Sequence, residues 1–117
     1  MANTEKLLPS SKGNFYLRLE FEECVPIQEN DPSNDFFMMS IIFESGLKYE
    51  LEVWTFKYLL TEVKDDLEKD YDRKLTLAGK YLKPPDLFIE KMDRELIESI
   101  VLHMIENDEL METWKVT

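Results

Sequence analysis

Two stretches of this chain alternate apolar and polar residues one for one, a period that belongs to strands and not to helices. Phe15, Leu17, Leu19 and Phe21 fall on one side, and Tyr16, Arg18, Glu20 and Glu22 on the other. Leu47, Tyr49, Leu51 and Val53 alternate in the same way with Lys48, Glu50, Glu52 and Trp54. A slip of one residue would turn each apolar set to solvent, so the register of a sheet built from them is tightly constrained. Between the two, Phe36 to Phe43 is apolar apart from Ser40, the pattern of a central strand covered on both faces. Pro26 and the turn-forming run Gln28 to Asp35 separate the first strand from the second, and Ser45-Gly46 supplies a hairpin turn before the third. The expectation is a three-stranded antiparallel meander.

Helical spacing then takes over. Thr55 can cap a helix from Phe56 towards Lys69, with Phe56, Leu59, Leu60, Val63 and Leu67 on one stripe and Glu62, Asp65, Asp66 and Glu68 opposite. Residues 70–83 suit a short strand or a loop equally. Pro84-Pro85 breaks any helix, and Leu87, Phe88, Ile89 and Met92 read as a fourth strand at an edge. Asp93 is an N-cap for a second helix, in which Leu96, Ile97, Ile100, Val101, Met104 and Ile105 form the apolar stripe and Asn107 the stop. Trp114 lies in a tail, docked or free. A sheet with helices packed on one face buries both stripes economically. The predicted fold is therefore α+β: an antiparallel sheet, a three-stranded meander plus a fourth strand, with two helices on one face. Residues 1–14, with Pro9, Ser10, Ser11 and Gly13, read as a flexible N-terminal segment, and residues 15–117 as a single domain.

Composition bears on what such a domain can bind. With 44% hydrophobic residues the chain is too apolar to be disordered. Its 25 Asp and Glu against 14 Lys and Arg give a net charge of -11, which opposes binding to nucleic acid or a membrane surface and favours basic partners. Cys24 is the single cysteine, so no internal disulfide can form and a reducing cytoplasm is the expected location. No apolar run approaches the roughly 20 residues of a membrane-spanning helix.

No complete catalytic, cofactor or metal set is visible. His103, the one histidine, has no nucleophile partner near it in the sequence. Cys24 sits beside Glu22 and Glu23, whose charge discourages the thiolate a nucleophile needs. Three glycines leave no phosphate-binding loop or dinucleotide fingerprint. Asp70 and Asp72 open like a calcium loop, but Lys74 and Leu75 occupy a ligand position and the glycine position. Phe36, Phe37, Met38, Met39 and Phe43 could line a pocket, though such runs more often form core. The expectation is a non-enzyme without cofactor or metal.

The acid surplus is uneven. From Leu19 to Leu47 the chain carries Glu20, Glu22, Glu23, Glu29, Asp31, Asp35 and Glu44 and neither Lys nor Arg. A solvated surface accounts for this as well as a contact surface does. On the contact reading, Glu20, Glu22, Glu29, Asp31 and Asp35 meet a basic protein, with Trp54, on the polar side of its strand, as an apolar anchor.

The meander ending in Leu51-Glu52-Val53-Trp54-Thr55, the helix beginning at Phe56, and Tyr81-Leu82-Lys83-Pro84-Pro85-Asp86 before the last helix resemble the small acidic immunity proteins of bacterial toxin systems. That resemblance spans Phe15 to Asn107 in layout. It implies an intracellular inhibitor whose carboxylates stand in for the phosphates a basic nuclease toxin would bind. The alternatives are an acidic adaptor or regulatory subunit for another basic protein, and a small ligand-binding domain or enzyme using the Phe36 to Phe43 side.

Overall fold

The computed structural model describes residues 7–23, 31–68 and 80–117. In chain order the elements are β1 (Leu7–Pro9), β2 (Tyr16–Leu19), β3 (Phe36–Ile42), β4 (Lys48–Thr55), α1 (Phe56–Glu68), β5 (Leu87–Ile89) and α2 (Arg94–Glu106). They build one five-stranded sheet in the order β1-β2-β3-β4-β5, with two helices, an α+β fold.

The alternating stretches set the register. Leu17 pairs with Ile41, Leu19 with Met39, Met39 with Leu51, and Phe37 with Val53, so one face of β2, β3 and β4 is apolar throughout. Ile97, Val101 and Met104 of α2 join these residues in the core. Each fully buried Leu, Ile or Val contributes about 1.5–3 kcal/mol relative to exposure. Asp93 starts α2 by accepting the Leu96 N–H at 2.9 Å, as its N-cap position predicts. The β3–β4 hairpin closes through Phe43 N–H to the Leu47 carbonyl at 2.9 Å, and Gly46 sits at φ 90°, a conformation that penalises a side chain.

The structure departs from the expected layout in five ways, the last of them an added strand. β5 runs parallel to β4, because α1 carries the chain back so that both strands point the same way; the sheet is mixed, not wholly antiparallel. The first strand ends at Leu19, where Glu20–Glu23 wind into a 3-10 turn. β3 is covered on both faces only in its second half: Phe37, Met39 and Ile41 are buried on one side, while on the other Phe36 and Met38 are exposed and Ser40 is buried.

The two helices also do not share a face. β4 passes into α1 with no intervening loop, and α1 makes its aromatic contacts to Phe36, Trp54 and Phe88, all turned away from α2. Phe56 and Leu60, expected to face the core, are 57% and 70% exposed.

Segments distant in sequence finish the sheet. β1 lies inside the segment set aside as flexible; it pairs with β2 through Leu8 and Leu17, its three side chains exposed. The outer edge of β4 is shared. β5 covers Val53–Thr55, Asp86 accepts the Glu52 N–H at 2.7 Å, and Val116 N–H donates to the Lys48 carbonyl at 2.9 Å. Trp114 is docked in the core, so the tail is tied down.

Candidate functional site

With α2 against one face, the other presents an aromatic row across three strands. Phe36 of β3 lies opposite Trp54 of β4, and Trp54 is level with Phe88 of β5. The Trp54 and Phe88 rings meet edge to face at 6.5 Å. Tyr58, one turn into α1, sets its ring edge against Trp54 and tilts onto Phe36, both at 5.1 Å. Phe56 stacks on Phe88 at 6.4 Å. The result is a shelf in the angle between sheet and helix, with Phe36, Met38 and Phe56 open to solvent.

Thr55 holds that angle. Its Oγ1 accepts the backbone N–H of Asp35 at 3.1 Å and of Tyr58 at 3.3 Å, and donates to the Asp35 carbonyl at 3.1 Å. One buried hydroxyl thus joins the start of β3, the end of β4 and the first turn of α1. The shelf has one internal cost: the Trp54 Nε1–H is buried with no acceptor, worth about 1–3 kcal/mol.

Carboxylates rim the shelf. Glu52 lies on the Trp54 face of β4, and Asp86 stands next to it, bonded to its N–H. Burial, reinforced by Glu62 and then by Asp35 and Asp65, pushes the Tyr58 hydroxyl up to about 12. Glu20, on the far side of Met38, accepts the Met38 N–H at 3.3 Å. Among the described residues, no ion pair engages Glu20, Glu52, Glu62 or Asp86.

The residues expected to form the contact surface divide. Glu20, Asp35 and Trp54 belong to the shelf or its rim. Glu22 points towards α2, where Arg94 Nη1 meets it at 2.6 Å; the same guanidinium bonds Glu98 and the Leu8 and Leu17 carbonyls. Asp31 is bonded by Lys57 at 2.9 Å and by Ser33, which together hold its carboxyl at about 2. Glu29 lies outside the described residues, as do Cys24, Asp70 and Asp72. The base-free stretch is therefore partly neutralised by Arg94 and Lys57, cations that sequence proximity does not reveal.

Sequence reasoning missed Phe56, Phe88 and Tyr58 as shelf members. The signal was present in Trp54, an aromatic on the polar side of its strand, and in Phe36 two residues before Met38 on the same side.

The remaining chemistry is sparse. His103 is exposed on α2, with Glu109 at 3.8 Å and Asn107 at 3.3 Å. A cleft of about 40 Å³ between Arg18, Glu20, Met38 and Ser40 has room for only a few waters. Its guanidinium is already held by Glu23 through two bonds of 2.8 and 2.9 Å. Among the described residues, no three His, Cys, Asp or Glu converge as metal ligands, and no helix is long and apolar enough to cross a membrane. Compared with protein-family models, curated proteins and solved structures, the chain matches none.

Proposed function

We propose that this chain is a non-catalytic, cytoplasmic protein-binding inhibitor that engages a basic partner through the open face of its sheet, and that the partner is a toxin domain against which it confers immunity. The observation that carries the reading is the solvent-open aromatic shelf rimmed by Glu20, Glu52, Glu62 and Asp86. Contiguous exposed apolar surface on a soluble domain marks an interaction site. A rim of one charge sign steers a partner of the other sign and rejects like-charged ones. The resemblance to acidic immunity proteins supplies the toxin. An acidic adaptor for another basic protein would use the same face.

The test is co-expression with the product of the adjacent gene. Toxicity of that product on its own, relieved by this chain and accompanied by a stable complex, supports immunity. A non-toxic basic binder favours the adaptor. A toxic neighbour that neither binds nor is neutralised removes the immunity reading. In the complex, Glu20→Lys with Glu52→Lys is expected to slow association several-fold at low salt, the difference closing as ionic strength rises. Unchanged association rates would take this face out of the interface.

A further inference from the structure

Resting on the protein-binding reading of this face, a more specific inference concerns which side chain the partner presents. The shelf combines two features. Phe36 and Phe56 are 46% and 57% exposed, and each has its inner side against a second ring, Tyr58 or Phe88. Within the same surface Glu52, Asp86 and Glu62 carry negative charge that no ion pair among the described residues engages.

An apolar face alone would accept any greasy segment, and a carboxylate rim alone would accept any cation. A planar cation satisfies both, because it can lie flat on a ring while its N–H groups reach the carboxylates. Guanidinium does so better than ammonium: it is flat, weakly hydrated and donates in several directions, whereas a lysine head is a compact, strongly hydrated point charge. Anionic ligands are repelled, and a second copy of this chain would bring another charge of -11 to the same place.

We propose that the shelf is an arginine-docking site, in which an arginine-bearing segment of the partner protein lays guanidinium groups on the exposed faces of Phe36 and Phe56 and is held by Glu52, Asp86 and Glu62. The aliphatic stems of those arginines cover Met38 and the edge of Trp54, and the acidic rim excludes partners without a cation at that position.

Calorimetry with two short synthetic peptides, one alternating arginine with valine and one alternating lysine with valine, tests this on the intact chain. The arginine peptide is expected to bind several-fold more tightly. In the Phe36→Leu/Phe56→Leu variant, which keeps apolar surface but removes both ring faces, that preference disappears; losing one exposed ring contact alone weakens the arginine peptide roughly two- to fivefold. Both positions are exposed, so an unchanged circular dichroism spectrum is expected of the variant. Glu52→Gln weakens both peptides alike.

Equal affinity for the two peptides, a preference that survives in the double leucine variant, absence of binding, or self-association of the chain through this face in sedimentation would each overturn the proposal. Failure to neutralise an adjacent toxin would sink the immunity reading and leave the arginine preference standing.

Discussion

Single residues decide which of the many carboxylates remain available. Asp31 is spoken for by Ser33 and Lys57, and its carboxyl is lowered from 3.8 to about 2, the Ser33 hydroxyl being the largest cause. A group whose folded value is depressed stabilises the fold above its unfolded value and loses that contribution as pH falls through the folded one. The relevant window is therefore about pH 4 down to 2. NMR titration of the Asp31 carboxyl should give a midpoint well below those of ordinary surface aspartates, and Ser33→Ala should raise it. A midpoint that stays put in Ser33→Ala would mean the hydroxyl does not hold the carboxylate. Glu22 shows the limit of reasoning from neighbours: in the sequence it stands in a base-free stretch, while in the fold Arg94 meets it from 72 residues away.

At the scale of elements, periodicity proved informative wherever one face is buried. Leu17, Leu19, Leu51 and Val53 were legible as core because the period of two leaves one arrangement that hides them. Asp93 and the α2 stripe were legible because a cap and a 3.6-residue period agree. Phe36 and Met38 were not, since an unbroken apolar run does not say which alternate residues a second layer covers. α1 misled for a related reason. Its stripe is that of a core helix, yet a helix leaving a strand without a loop must go where the strand points it, and Tyr58 takes it to the open face.

The α2 stripe also resolves into deep and shallow positions. Ile97 and Val101 are 2% and 0% exposed, while Ile100 is only half-buried. Urea unfolding should thus find Ile97→Ala destabilising by about 2–5 kcal/mol and Ile100→Ala distinctly less. A reversed order would mean that the helix is rotated about its axis.

For the whole molecule, the excess of acid over base acts on stability as well as on partner choice. With a net charge of -11, self-repulsion is expected to outweigh the ion pairs that salt also weakens, of which Lys48–Glu50, Lys57–Asp31 and His103–Glu109 are exposed and individually worth about 0–1 kcal/mol. Adding sodium chloride should accordingly raise the urea midpoint without changing the slope of the transition. A falling midpoint would show that the ion pairs, led by the Arg94 cluster, dominate.

The divided edge of β4 has a consequence for how the chain is made. Its backbone groups at Lys48 and Glu52 are satisfied by Val116 and Asp86, residues that leave the ribosome long after β4 itself. During synthesis the β2–β3–β4 sheet can assemble early, while the outer edge of β4 stays open until Asp86 and β5, and then Val116, have emerged. A nascent chain of this protein therefore carries an unpaired strand edge in the interval between β4 and those segments, and closes it in two steps.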